Sequence, residues 1–258
     1  NKWMLLSKFA KQIFNSFDLC LASSKESEKN LKILSVKNLM YIGNIKFSGE
    51  IEKKDLVDKN LEILKKKTFW CAVSTHKGEE NICLNTHINL KKTYNDLITI
   101  IVPRHIKRCI EISNLCKKYN LSSQILDDKE LINNEKEIII INSFGTLSKF
   151  YNYSKSVFIG KSMIKKLEKV SGQNPIEAAK LRCKIYHGPY VYNFKEIYDL
   201  LKSYKISEEV NDEKELYKKL TRDLKNSEDH EDKTADIIND MGQKILDKTT
   251  REINKLLI

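Results

Sequence analysis

Apolar runs four to six residues long recur along this chain, each followed by a polar or glycine-bearing turn and then by a helical pattern. The clearest are Phe69–Val73, Leu97–Val102, Ile138–Ile141, Ser156–Ile159 and Cys183–Tyr186. Strand–helix alternation at this pitch predicts parallel β–α–β units, hence an α/β fold with a doubly wound, Rossmann-like parallel sheet. Shorter strand signals lie at Asp18–Ala22, Leu39–Asn44 and residues 123–126. Helical patterns cover 2–16, 24–34, 54–66, 175–181, 194–203 and the charged tail from about 212. The stretch from 160 to Gly172 reads as a loop. Sheets of this kind bind ligands beyond the C-terminal ends of their strands. Polar motifs collect at those ends: after Val73, Val102, Ile141, Ile159 and Tyr186.

Among 258 residues there are only 8 Gly and 3 Pro, well below the usual shares of about 7% and 5%. The remaining ones are therefore worth placing individually. The net charge of +11 is uneven: Ser207–Ile258 carries 10 Lys/Arg against 14 Asp/Glu, leaving 36 against 21 in the first 206 residues. A basic body suits an anionic partner, whether nucleic acid, a phosphorylated ligand or an acidic membrane surface. The lysines scatter over helices without a stripe or interleaved aromatics, which argues against nucleic acid. The six cysteines form no CxxC pair and no zinc spacing, which suits a reducing compartment. No stretch reaches the roughly 18 apolar residues of a membrane span.

Several motifs admit both a structural and a chemical reading. Ser171-Gly172-Gln173-Asn174-Pro175-Ile176-Glu177 reads as a helix start, with Asn174 as N-cap, Pro175 at N1 and Glu177 at N3. Its free N–H groups can hold a phosphate, and Glu177 can either cap the helix or accept bonds from ribose hydroxyls. Arg104, in Pro103-Arg104-His105, is placed for bidentate binding of phosphate or carboxylate, or is a surface residue at a strand end. Ser74-Thr75-His76-Lys77-Gly78-Glu79-Glu80 is not a Walker loop; Ser74 or Thr75 is expected to cap the next helix, and the remainder can meet an anionic ligand. Phe144-Gly145 is a strand-to-helix turn that can border a flat base. In Tyr186–Phe194, Asn193 is expected to cap the helix that follows. No GxSxG, HExxH or Cys–His nucleophile pattern occurs, so no cofactor and no metal are expected.

Taken in order, these motifs resemble one family, the 3-deoxy-D-manno-octulosonic acid (Kdo) transferases of lipopolysaccharide synthesis. The matching segments are Asp18–Ala22, Gly43–Phe47, Ser74–Glu80, Pro103–His105, Phe144-Gly145, Gly172–Ala179, Gly188-Pro189 and Asn193–Lys195, covering about residues 3–205. The resemblance implies a GT-B glycosyltransferase, built from two Rossmann-like domains. It implies CMP-Kdo as donor and a phosphorylated lipid A precursor as acceptor, at the cytoplasmic face of the bacterial inner membrane, with no nucleic acid as partner. It further implies donor contacts from Ser74, Thr75, His76 and Lys77. Arg104 and the helix start at Gly172, Gln173 and Asn174 would hold phosphate or the Kdo carboxylate, Glu177 the ribose, and Phe144 and Gly145 the cytosine.

On this resemblance residues 1–46 are the end of an acceptor domain and 47–210 a complete donor domain, with 44–48 as the link. Residues 211–258 are a helical tail crossing back toward the first domain. The family's general base lies in a Gly/Glu-rich motif that nothing here matches, so no catalytic residue is assigned and the chain is expected to bind donor without transferring Kdo. Asn142, Lys161, Thr146 and Gln173 depart from the family's usual residues and blur the details of donor contact. A GT-B enzyme using another nucleotide sugar remains the chief rival, with a basic nucleic-acid-binding module behind it. The number of Kdo residues added is not legible in the chain.

Overall fold

The computed structural model describes residues 2–51, 56, 58–225 and 233–257. The chain divides into two compact units, Asn1–Glu50 with Asp236–Ile258, and Ile51–Ala235.

In the first unit a two-stranded parallel sheet joins β1 (Cys20–Ala22) to β2 (Leu39–Tyr41). The crossover helix Lys25–Ile33 starts where the Ser24 side chain accepts the Ser27 N–H, an ordinary N-cap. The helical pattern expected over 2–16 is two helices, Lys2–Leu5 and Ser7–Phe14. Helix Lys233–Asn254 lies close to the Phe47 backbone at Gly242, where any Cβ would overlap the Phe47 carbonyl. Glycine there permits the close approach.

The second unit is built on seven parallel strands: β3 (Phe69–Thr75), β4 (Ile98–Pro103), β5 (Ser123–Leu126), β6 (Ile138–Ile141), β7 (Ser156–Ile159), β8 (Lys184–His187) and β9 (Ser207–Glu209). Their order is β5-β6-β4-β3-β7-β8-β9. The chain enters at β3, moves outward through β4 to β5 and β6, then returns to the other side of β3 with β7, β8 and β9. A topological switch point therefore lies between β3 and β7. Strands β4, β6 and β7 are buried along their whole length, as a parallel sheet covered on both faces requires.

Register sorts the core into two layers. Trp70, Ala72, Phe158 and Tyr186 share one face and pack with Cys83 and Leu90 of helix Glu79–Lys91 and with Leu216 and Leu220 of helix Glu213–Lys225. Ile101, Ile138 and Ile140 continue that face against Cys109, Ile112 and Cys116 of helix Cys109–Lys118. Successive strand residues alternate faces, so Cys71 points the other way, where its thiol lies 2.9 Å from the Ser154 hydroxyl. Burial pushes the Cys71 thiol up to about 12, marking it as inert packing.

Two expectations change. Ser207–Glu209, unassigned in sequence because it carries two glutamates and no apolar run, is the edge strand β9, paired with β8. The tail read as one element is two helices in different surroundings. Helix Glu213–Lys225 supplies core residues to the second unit, whereas the chain from Asp236 belongs to the first.

Strand β9 is held by charge. Glu208 accepts from Lys184 at 2.7 Å, Lys219 at 2.6 Å and Arg222 at 3.0 Å. Asp223 accepts from the Tyr186 and Ser156 hydroxyls, each at 2.6 Å, so helix Glu213–Lys225 is tied to the sheet beneath it. Burial alone would raise the Glu208 carboxyl, but the hydrogen bonds from Lys184, Lys219 and Arg222 outweigh it and bring it from 4.5 to about 2. A depressed carboxylate stabilises the fold fully above its ordinary range and loses that contribution as pH falls toward its folded value. Glu208→Gln is therefore expected to cost about 1 kcal/mol at pH 7 after solvent screening. The difference in Tm from wild type should close between pH 4.5 and about 2, measured by thermal melts across that range.

Candidate functional site

The polar motifs stand at the C-terminal ends of β3, β4, β7 and β8, which are neighbours in the sheet. At the end of β3 the register slips between Val73 and Thr75, with Ser74 in left-handed backbone at φ 54°. The slip carries His76 and Lys77 out of the sheet. Gly78, at φ 102°, is the N-cap of helix Glu79–Lys91 and makes no side-chain bond. Ser74 and Thr75 thus do not cap this helix: the bulge leaves them in the strand, four and three residues before Gly78.

The capping work falls to Glu79, which is fully buried. Its Oε2 accepts the His76 N–H at 2.9 Å and the Lys161 N–H at 2.7 Å. Its Oε1 accepts the Ser162 N–H at 2.9 Å and the Met163 N–H at 3.0 Å. One carboxylate thus joins the loop after β3 to the loop after β7. Gly160 makes room for it, since a Cβ there would lie 2.7 Å from Glu79 Oε2 and from Thr75 Cα. The next residue, Glu80, is also buried and turns to a different partner. It pairs with both terminal nitrogens of Arg108 at 2.7 and 3.1 Å, a bidentate bridge.

From the β7 loop the connections continue by backbone. The Lys161 carbonyl accepts the Gly172 N–H at 2.8 Å, Ser162 Oγ accepts the Gly188 N–H at 2.8 Å, and the Ser162 carbonyl accepts the Tyr190 N–H at 2.9 Å. Buried Ser171 takes the Tyr192 N–H on its hydroxyl at 3.1 Å. Gly172, at φ 87°, faces the Val191 backbone, where a Cβ would lie at 3.1 Å. The Gln173 carbonyl accepts from the Tyr198 hydroxyl at 3.0 Å. Asn174 Oδ1 accepts the Ile176 N–H at 3.2 Å, as an N-cap side chain does, although the helix itself spans Ile176–Lys180 with Pro175 at its cap. Glu177 is half-buried on this helix. Burial, with the Glu177 charge as a lesser cause, raises the Tyr151 hydroxyl and the Cys183 thiol. Asn193 does not cap helix Lys195–Ser203; a 3-10 turn over Tyr192–Phe194 precedes it, and the Asn193 amide instead donates to the Val170 carbonyl.

After β4 the Arg104 N–H donates to the Thr75 carbonyl at 3.1 Å, setting this loop beside the β3 loop. The rings of His76 and His105 meet edge to face with centroids 5.8 Å apart. Burial pulls His76 below its ordinary value, and its Nδ1 lies 3.1 Å from the Ser74 carbonyl. The Arg104 side chain is exposed and has no side-chain partner among the described residues. Lys77 is also exposed, 3.9 Å from Glu111. Phe144 and Gly145 follow β6, one strand beyond β4; Phe144 is 75% exposed and Gly145 has φ 71°. The fold thus places Ser74–Lys77 after β3, Arg104 after β4 and Gly172–Glu177 on the connection that follows β7, three adjacent strands, and sets Phe144-Gly145 at the flank. Among the described residues no group of His, Cys, Asp or Glu is placed to hold a metal, and no helix is long and apolar enough to cross a membrane.

Sequence reasoning missed Glu79, Gly160, Ser162 and Ser171 as organisers of this edge. Gly160 was the available signal, since in so glycine-poor a chain a glycine directly after a buried strand marks a close approach. Gly160→Ala is expected to cost roughly 2 kcal/mol or more, because the new methyl meets a buried carboxylate and the Ser74-Thr75 backbone, which cannot yield cheaply. Urea unfolding would show this as a lower midpoint at unchanged slope.

No family model matches the chain. Individual proteins do. The chain is 27% identical over 226 residues to the 3-deoxy-D-manno-octulosonic acid transferase of Haemophilus influenzae, covering 86% of this chain and 51% of that protein. It is 30% identical over 190 residues to the transferase of the same name from Rickettsia typhi, covering 72% and 40%. It spans about half the length of the curated relatives it matches. Among solved structures it resembles the C-terminal CMP-Kdo binding domain of WaaA from Acinetobacter baumannii, with TM-score 0.57 and 21% identity over 73% of this chain and 96% of that one. The shared fold is the Rossmann-like α/β architecture of GT-B glycosyltransferases. Sequence and fold agree, and the chain belongs to the 3-deoxy-D-manno-octulosonic acid transferase family.

Proposed function

We propose that this chain is the donor-binding part of a glycosyltransferase that moves Kdo from CMP-Kdo to a phosphorylated lipid A precursor at the cytoplasmic face of the inner membrane. The observation that carries the reading is the row of loops after β4, β3, β7 and β8 in a member of this family, bearing an exposed Arg104 whose side chain has no partner among the described residues. Ligands of doubly wound sheets enter at that point. In this reading the unit Ile51–Ala235 is the donor domain, and Asn1–Glu50 with Asp236–Ile258 belongs to the acceptor domain.

The chemistry asked of the donor domain is binding and charge compensation. In Kdo transfer the bond from the sugar's anomeric carbon to the CMP phosphate oxygen breaks, and a bond to an acceptor hydroxyl oxygen forms. Negative charge grows on the departing CMP. Arg104 and Lys77, with the backbone N–H groups of Gln173 and Asn174, are suited to receive that charge and to hold the Kdo carboxylate. Glu177 would accept from the ribose hydroxyls, and Phe144 and Gly145 would border the cytosine. His76 would face the donor from the end of β3, where Ser74 and Thr75 are buried and would shape the loop behind it. No residue of this chain is assigned as the general base.

Calorimetric titration with CMP tests the reading. Wild type is expected to bind CMP more tightly than UDP, and Glu177→Ala and Arg104→Ala should each weaken CMP binding at least about tenfold, the loss of one charged hydrogen bond or more. Equal binding of UDP would favour another nucleotide-sugar donor. Failure of the wild-type chain to bind CMP, or an unchanged Kd in Glu177→Ala, overturns the assignment.

A further inference from the structure

Three successive backbone N–H groups, those of Lys161, Ser162 and Met163, point at one place just past the end of β7. Lys161 sits in left-handed backbone at φ 59°. Consecutive N–H groups converging in this way form an anion-binding concavity of the kind that cradles phosphates. Here the anion is internal: Glu79 occupies the concavity with both oxygens, at 2.7–3.0 Å from the three nitrogens, and adds the His76 N–H as a fourth donor. Its acceptor capacity is spent on backbone alone. A carboxylate needed only to cap its own helix would end at the His76 N–H. This one reaches across the switch point to the partner loop.

We propose that Glu79 is a positioning residue: by filling the anion cradle after β7 it fixes the loops after β3 and β7 in the arrangement that receives the donor nucleotide. This inference rests on the CMP-binding reading above. Two consequences follow from the geometry. The most evident phosphate cradle on this edge is closed to the donor, so the donor's anionic groups are directed to Arg104 and the Gly172–Asn174 segment. In addition, the cradle loop carries the rest of the site. The Lys161 carbonyl holds Gly172, Ser162 Oγ holds Gly188, and the Ser162 carbonyl holds Tyr190. Displacing Lys161–Met163 therefore displaces the segment that bears Asn174 and Glu177. Glu79 acts on the ligand through backbone and need not touch it. Gly160 is part of the same device, since a Cβ there would enter the space of Glu79 Oε2.

Charge gives the test its sign. If Glu79 mattered only as a buried negative charge near an anion, Glu79→Gln would tighten CMP binding. If it positions the loops, the same change must weaken binding, because a glutamine amide turns an NH2 toward backbone N–H groups and loses about half of the four bonds. Glu80→Gln is the control, being equally buried in the same helix turn but tied to Arg108.

The experiment measures two quantities on the full chain, well below the unfolding transitions. One is amide hydrogen exchange at His76, Lys161, Ser162 and Met163; the other is the Kd for CMP. For Glu79→Gln both should rise at least tenfold; for Glu80→Gln both should stay within about threefold. Unchanged exchange in Glu79→Gln overturns the clamp. Raised exchange with unchanged or tighter CMP binding overturns the positioning role. If wild type does not bind CMP, the donor reading fails, and with it the purpose assigned here, while the exchange arm still decides whether the clamp exists. Should Glu79→Gln fail to fold, Glu79→Asp takes its place. It keeps the charge and the acceptors but falls one methylene short, so a Kd raised severalfold with exchange confined to the same four amides supports positioning. A wild-type Kd in a folded Glu79→Asp whose exchange has risen at those amides refutes it.

Discussion

A parallel sheet leaves its ligand edge to loops, and loops need something to hold them. In the second unit that something is the buried Glu79 carboxylate. Four backbone N–H groups from two loops would be unsatisfied without it, and each buried, unpaired donor costs about 1–3 kcal/mol. The sheet fixes where β3 and β7 end; Glu79 fixes what happens next. Gly160 is glycine because the carboxylate passes there, and Ser162, Gly172 and Gly188 are arranged around the loop that the carboxylate holds.

Much of this was legible from pattern. Six of the seven strands of the large sheet were read close to their observed bounds, because Ile138–Ile141 and its fellows are apolar runs that only a doubly covered sheet can bury. Strand β9 was not legible, since Ser207-Glu208-Glu209 carries its stabilising information in distant partners, the cations of Lys184, Lys219 and Arg222. The divided tail failed for a similar reason: Leu216 and Leu220 give a helix with one apolar face, but periodicity does not say which core that face enters.

At the site, sequence identified the segments and misassigned some of the work within them. Ser74 and Thr75 look like caps because hydroxyls before a helix usually are. A register slip in β3, invisible to composition, leaves the cap to Gly78 and the backbone N–H of His76 to Glu79. Asn174 was read more nearly right: its side chain takes the Ile176 N–H even though the helix begins later than expected. Local signals succeed when the partner lies within the same turn, and fail when it comes from another loop. The scarce glycines bridge the two cases, because a retained glycine reports a neighbour without naming it.

The adjacent acids show how one dipeptide can serve two ends. Glu79 and Glu80 open the same helix, where negative charge is favoured by the helix dipole, yet their side chains leave in different directions. Glu80 goes to Arg108 and neutralises it in a buried, bidentate pair. Glu79 goes to backbone and pairs with no cation among the described residues. Arg104, four residues before Arg108, is left exposed without a side-chain partner among the described residues. An anion binder must bury its acids near the site without spending its cations on them. Directing Glu79 onto amide groups satisfies the carboxylate and joins the two loops, and in the proposed donor site it leaves the charge of Arg104 available. A Glu79 paired with Arg104 would have closed the same gap between loops and abolished the reason for holding them open.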